Sequence, residues 1–190
     1  MSKIGWGKPK IAISKIGTGS KWKMMQTPVQ NSTTMNVDKG EKKEALIEGG
    51  EVEDVRYEKN KHALVMQVRV LKGRPLPIPH KDGTVEGEYV LALQPEDPNV
   101  PSGIVLQTAH VSAETGFSSE DGVTITYTFD ALTPQATDTT EETQIVLGEV
   151  AITGSGDNIT VTVKPFDTES GDLATQAKTV NPATGAIKTS

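Results

Sequence analysis

Cysteine is absent from this 190-residue chain, and aromatic residues make up only 4 % of it. Without cysteine the chain can form neither a disulfide framework nor a thiolate metal site. No apolar run is long enough to cross a bilayer as a helix. The first ten residues, MSKIGWGKPK, lack the apolar core of a signal peptide. We therefore expect a protein that is made in the cytoplasm, is not exported by a secretory signal and has no membrane partner.

Motifs for catalysis and cofactor binding are also missing. The chain contains no G-x-S-x-G, no G-x-x-x-x-G-K and no G-x-G-x-x-G. His62, His80 and His110 lie in separate segments, without a second histidine or a carboxylate at ligand spacing. Isolated histidines of this kind are typical of surfaces and strand ends rather than metal sites. The sequence predicts no enzymatic activity, no resident metal and no cofactor.

Hydrophobic residues are scarce as well, at 35 % of the chain. Two explanations fit this value equally. The protein completes its burial in an assembly, or a disordered tail dilutes the average.

The charges are divided unevenly along the chain. Residues 1–80 carry 15 Lys/Arg and 8 Asp/Glu, whereas residues 81–190 carry 4 and 17, which gives net charges of +7 and −13. The lysines of the first half are mixed with acids and are not interleaved with aromatics, which favours a solvated surface over a nucleic-acid site. A second interpretation is head-to-tail self-association, in which one subunit's basic surface meets another's acidic surface.

The strongest periodicity in the chain runs from Ala109 to Leu132. Two alternating runs flank the acidic turn that ends in Asp121-Gly122, which predicts an antiparallel β-hairpin with one buried face. The buried face is expected to carry Val111, Ala113, Thr115, Phe117, Val123, Ile125, Tyr127, Phe129 and Ala131. The opposite face is polar, with His110, Ser112, Glu114, Thr124, Thr126, Thr128 and Asp130.

Other segments also favour strands. They are Lys10–Ile16, Trp22–Met25, Ala63–Leu71, Tyr89–Leu93 and Ile104–Thr108. Val52 to Leu71 is predicted to form a second hairpin, and Glu41–Glu48 is the best candidate for a helix. The expected fold is mainly β, an antiparallel β-sandwich or partly closed β-barrel with at most one short helix.

Residues 72–88 contain three closely spaced prolines, which exclude a helix or a central strand. The segment is long for a connection in a compact domain. Two interpretations remain open: a surface excursion, or an arm that contacts a neighbouring subunit through Arg74, Pro75, Pro77 and Pro79.

The remaining boundaries follow from composition. Residues 1–134 are predicted to be one β domain, and the polar, acidic residues 135–143 a linker. Residues 144–166 are expected to form an extra β-hairpin. Residues 167–190, which have almost no large apolar side chain, are expected to form a flexible tail.

Three stretches in this order resemble the major tail tube proteins of long-tailed bacteriophages and prophages, a family related to the tube proteins of contractile injection systems. The stretches are KKEALIEGGEVEDVRYEKNKHALVMQVRVLKGR at 42–74, DGTVEGEYVLALQPEDP at 82–98 and SAETGFSSEDGVTITYTFDALTP at 112–134. The resemblance covers roughly residues 1–134, and its most specific part is Gly122 to Pro134. It is one of pattern and order, without a catalytic signature.

The resemblance implies a structural subunit of the phage tail, made in the host cytoplasm. Such subunits form hexameric rings that stack into a tube, through which DNA and the tape-measure protein pass. Tape-measure and tail-end proteins would be the partners, and DNA would pass without specific binding. The polar hairpin face would then line the lumen through Ser112, Glu114, Thr124, Thr126, Thr128 and Asp130.

Two alternatives remain. One is a non-enzymatic β-sandwich binding module for a carbohydrate or a surface, although carbohydrate sites usually stack on Trp or Tyr. The other is another ring-forming part of the same machine, such as a tail terminator or an injection-system tube.

Overall fold

The computed structural model describes residues 4–5, 7–141 and 143–189, and within them the chain is all-β, with 51 % strand and no helix. Its strands pair antiparallel, and eleven of them form one sheet, whereas β4 and β5 form a separate two-stranded sheet. The predicted mainly β, antiparallel, sandwich-like class is confirmed, and the sheets do not close into a barrel. The strands are β1 (Lys10–Lys15), β2 (Lys23–Met24), β3 (Thr34–Asp38), β4 (Lys42–Leu46), β5 (Val52–Tyr57), β6 (Lys61–Arg69), β7 (Thr84–Gln94), β8 (Gly103–Ser118), β9 (Gly122–Ala131), β10 (Val146–Thr153), β11 (Thr160–Pro165), β12 (Lys178–Val180) and β13 (Ile187–Thr189).

Strand β1 and the second half of β7, from Tyr89 to Gln94, form the centre of the structure because both of their faces are buried. Successive side chains of a strand point to opposite faces. In β7, Tyr89, Leu91 and Leu93 enter one apolar core, while Val90 and Ala92 enter a second core on the other side. This double burial explains why β7 has a continuous apolar run instead of an alternating pattern.

The long strand β8 connects the two cores. On one side it pairs with β7; on the other it pairs first with β10 through Gly103–Val105 and then with β9 through Ala109–Ser118. A β-bulge interrupts its register with β7 where the strand changes partner, at Gln107 and Thr108. Both bulge residues are fully buried. A bulge bends and twists a strand locally, which lets one strand serve two layers.

The first core lies between β1, β7 and β8 on one side and β6 and β9 on the other. Tyr127 and Phe129 are its largest fully buried side chains. The predicted β8–β9 hairpin is confirmed, with Ser118 opposite Gly122 at the turn.

At the turn end of this hairpin the predicted buried face is wrong, because three of its residues are exposed. Phe117 is 78 % exposed, Val123 is 42 % exposed and Thr115 is exposed as well. These residues alternate as predicted, but β8 and β9 extend beyond the layer that covers them.

The second core contains β10 to β13 and includes the C-terminal segment that was expected to be a flexible tail. The predicted hairpin at 144–166 is present as β10 and β11. Beyond it, β12 and β13 add to the same sheet, and Val180 and Ile187 are buried in the core. The expectation of an unstructured tail is wrong for these strands because a few apolar residues, widely spaced in the sequence, are buried by long-range pairing.

The described residues of the polar segment, 135–141 and 143, form no strand, but several of them are held against the C-terminal strands. The backbone nitrogen and the hydroxyl of Thr140 both donate to the carbonyl of Ile187, each at 2.9 Å. Lys178 pairs with Glu141, and Lys188 pairs with Asp138. Buried Gln107 donates from Nε2 to the Thr139 hydroxyl at 2.6 Å. The linker therefore joins the bulge of β8 to the end of the sheet.

The helix candidate Glu41–Glu48 is a strand, β4, and it pairs with β5. The predicted hairpin from Val52 to Leu71 is therefore wrong, because β5 turns back to β4 while β6 pairs with β3 and β9. The Gly49-Gly50 pair forms the turn between β4 and β5, with φ of 103° and 82°. These torsions favour glycine over any residue with a Cβ.

We expect Ile187→Ala to lower the free energy of unfolding by about 2–4 kcal/mol, because it removes a fully buried side chain from the second core. The matched control Thr189→Ala changes an exposed residue of the same strand and should cost less than about 0.5 kcal/mol. Urea denaturation followed by tryptophan fluorescence measures both. Equal stability of the two variants would contradict the packing of β13.

Candidate functional site

A largely polar surface lies on the outward faces of β6, β9, β8 and the first half of β7; we call it the wall. Strand register brings all six predicted lumen-facing residues onto this one surface. Ser112 lies opposite Thr128, Glu114 opposite Thr126, and Thr124 opposite Gly116. Asp130 lies between Ala63 of β6 and His110 of β8, and Glu88 of β7 is opposite His110.

The exposure of these six residues is not uniform. Ser112, Glu114 and Asp130 are exposed, and Thr126 and Thr128 are half-buried. Thr124 is only 5 % exposed, which corrects its assignment to an open surface. Its hydroxyl points at Gly116, where an added Cβ would lie 3.4 Å away, and Arg69 is its register partner on β6. Thr124 therefore lies between Gly116, which has no side chain, and the long side chain of Arg69.

The electrostatic character of the wall is mildly acidic. Two cations of β6 lie on this face: Arg69 pairs with Asp121 of the β8–β9 turn, and Lys61 is exposed at the start of the strand. Gln67 donates to the Thr126 hydroxyl at 3.3 Å, and Glu88 accepts from Gln135 at 3.1 Å. Glu114 and Asp130 form no ion pair within the part of the chain that the structure describes. These two carboxylates face solvent among hydroxyl and amide groups.

The proline-rich segment lies against its own body. Ile78 is fully buried in the first core, and its carbonyl accepts a hydrogen bond of 2.8 Å from the buried Tyr127 hydroxyl. The ring of His80 contacts the Tyr127 ring edge-on, with centroids 6.5 Å apart. The segment is therefore anchored rather than projecting. Arg74, Pro75 and Pro79 are exposed and Pro77 is half-buried, so their contact with a neighbouring subunit stays a prediction.

The element that does project is the β4–β5 sheet, which we call the projecting hairpin and define as residues 41–58. All its residues are exposed, including Leu46 and Tyr57 at 62 % each. Its base is held by ion pairs of Lys42 with Glu44 and of Lys43 with Glu58. The hydrogen bond and charge of Lys43 hold the pKa of the Glu58 carboxyl below its usual range.

Sequence reasoning missed this hairpin, although a signal was present. The Gly49-Gly50 pair stands between two short runs that contain Leu46 and Val52. Because the first run lies within Glu41–Glu48, the best candidate for a helix, the pattern did not indicate the hairpin.

The described residues contain no group of three or more His, Asp or Glu side chains arranged to hold a metal ion. His62, His80 and His110 are not brought together: they lie on β6, in the proline-rich segment and on β8. Across the same described ranges, no helix is long and apolar enough to cross a membrane.

Comparison with known proteins gives no relatives: neither the models of protein families, nor the curated proteins, nor the solved structures contain a significant match to this chain.

Tyr127→Phe tests the anchor of the proline-rich segment. At neutral pH it should cost about 1–2 kcal/mol, because the buried carbonyl of Ile78 loses its donor. Burial raises the pKa of Tyr127 from 10 to about 12. The neutral phenol thus contributes stability that is complete below pH 10 and is lost as the pH rises through 12.

The phenylalanine variant should lack this part of the alkaline loss, so its stability deficit should shrink above pH 10. Denaturant unfolding at pH 7 and at stepwise higher pH measures the effect. Tyr57→Phe, on the exposed hairpin, is the matched control and should behave like the parent chain. A deficit that is independent of pH would contradict the assignment.

Proposed function

We propose that this chain is a structural subunit of a phage-type tail tube, which assembles into stacked, hexameric rings around a DNA-conducting channel. The observation that carries the proposal is the wall: four adjacent strands present mainly hydroxyl, amide and charged groups on one continuous face, on which Ala63 and Val65 of β6 are half-buried. None of the exposed large apolar side chains lies on it. In the proposed assembly this face lines the channel.

The chemistry of the wall suits a channel for DNA. A basic surface binds phosphates by releasing their counterions, and every such contact would retard a sliding duplex. Glu114 and Asp130 instead repel phosphates over roughly the Debye length, which is about 10 Å at 0.1 M salt. Hydroxyl groups hydrate the surface without adding charge. A surface of this chemistry allows DNA to pass along it without binding it.

The rest of the proposal concerns the setting of the protein. It acts in the virion, without catalysis, and is made in the bacterial host cytoplasm. Its partners are copies of itself together with tape-measure and tail-end proteins.

A carbohydrate-binding module receives less support. Sugar sites usually stack on Trp or Tyr, whereas Trp22, Tyr89 and Tyr127 are buried. Among the tyrosines of the described chain only Tyr57 is well exposed, and it lies on the projecting hairpin, all of whose residues are exposed.

The first test is the assembly state. Sedimentation velocity over a range of protein concentrations, combined with negative-stain electron microscopy, should reveal rings or tubes with a central channel. A globular monomer at every concentration would contradict the proposal.

The second test addresses the wall. Glu114→Lys combined with Asp130→Lys should leave assembly intact, since both residues are exposed, but tubes polymerised with a fluorescent DNA duplex should now retain it. Retention should fall steeply with added salt. Asp157→Lys, a charge reversal at the exposed β10–β11 turn, is the control. If it retains DNA equally, or if the double variant releases DNA like the parent, the wall does not face the channel.

A further inference from the structure

A histidine lies between two carboxylates on the wall. His110 of β8 is directly opposite Glu88 of β7 on one side and Asp130 of β9 on the other. Residues that are directly opposite each other on neighbouring strands have Cβ atoms about 5 Å apart. Either carboxylate can therefore reach the imidazole of His110. We call these three residues the histidine row.

The side chains of the histidine row are accessible from solvent. His110 and Asp130 are exposed, and half-buried Glu88 accepts a hydrogen bond of 3.1 Å from Nε2 of Gln135. Within the described chain none of the three forms an ion pair. His62 differs, because its Nδ1 is buried without a hydrogen-bond partner among the described residues. Protonation of His110 therefore buries no charge, and it creates a cation within reach of two anions.

Other charged groups near the histidine row make the wall acidic. Glu114 is exposed on β8, four residues farther along the same face. Glu86 is exposed in the irregular stretch of β7 that precedes the row. Lys61 is exposed at the start of β6, whereas Arg69 at the other end of that strand is neutralised by Asp121. Lys61 is thus the one cation of the described wall that opposes the carboxylates.

Acidification changes the charge of histidine before that of carboxylates. A histidine side chain changes its charge between about pH 5 and 8, whereas the carboxyl groups of model peptides do so near about pH 4. Between pH 7.5 and pH 5.5 we therefore expect the wall to gain one positive charge per subunit. Four carboxylates and one unpaired cation give the wall a net charge of −3, from Glu86, Glu88, Glu114, Asp130 and Lys61. The added proton removes a third of this charge.

We propose that the histidine row makes the passage of DNA along the wall dependent on pH. At neutral pH the carboxylates repel the phosphates of the duplex. At acidic pH the protonated imidazole of His110 cancels part of this repulsion and can donate a charge-assisted hydrogen bond to a phosphate oxygen. The inference rests on the proposed function, since it adds a regulation to the face that is proposed to line the channel. In a hexameric ring the same change occurs in every subunit at one level of the channel.

The retention of DNA by assembled tubes tests the histidine row. Tubes polymerised with a fluorescent DNA duplex at pH 7.5 are transferred at low salt to pH 7.5 or to pH 5.5, and the DNA that pellets with them is measured. We expect about fivefold more retained DNA at pH 5.5, the factor that corresponds to one contact between unit charges in water. The excess should fall steeply with added salt, which separates electrostatic retention from aggregation.

Three variants assign the pH response to one residue. His110→Gln should retain as little DNA at pH 5.5 as at pH 7.5, whereas His110→Lys should retain DNA at both pH values. His62→Gln is the matched control, because His62 is half-buried on the opposite face of β6, and it should respond to pH like the parent chain. Negative-stain electron microscopy of each preparation checks that the tubes are intact.

The outcomes separate this inference from the function on which it rests. Parent tubes whose DNA retention is independent of pH, or His110→Gln tubes that keep the parent's pH response, would overturn the role of the histidine row. The tube proposal would still stand if Glu114→Lys combined with Asp130→Lys retains DNA. A chain that stays monomeric in sedimentation, or a double variant that releases DNA like the parent, would overturn this inference together with the proposed channel face.

Discussion

The burial of both faces of β7 is the constraint on which the rest of the structure depends. Its alternate side chains enter two different cores, so each face needs its own covering layer. One strand, β8, serves both layers by changing its partner from β10 to β9 at the Gln107–Thr108 bulge. A chain with few large apolar residues can be organised in this way because its central strands contribute to both cores.

This arrangement also decides which surfaces remain free. The layer of β6 and β9 covers the first core with one face and leaves the other face, the wall, open to solvent. The same strands extend beyond the core, so their last apolar row around Phe117 stays exposed. A polar surface at the side, exposed apolar residues at one end and an exposed hairpin at the other are thereby left uncovered in the described chain.

The sequence allowed the β8–β9 hairpin to be predicted because its pattern is local. Val123, Ile125, Tyr127 and Phe129 alternate with threonines, and the six polar residues assigned to one face do share it. The pairing of strands was harder to predict. The apolar residues of β5 are compatible with pairing to β4 or to β6, and the structure shows that β5 pairs with β4. For the proline-rich segment, the prolines correctly excluded a helix, but the predicted connection 72–88 is wrong from Thr84 onward, where the paired strand β7 begins. The anchoring of Ile78 under Tyr127 depends on a residue 49 positions away.

Composition and periodicity alone established the β class, the main hairpin, its polar face and the uneven charge, since each follows from the torsions and side-chain directions of neighbouring residues. The three-dimensional structure decided that Ile187 is core, that Phe117 is surface and that β4 and β5 leave the body. Alternation states which way a side chain points, whereas burial depends on whether another layer lies there. That layer comes from distant segments, and its extent is set by pairing across the whole chain.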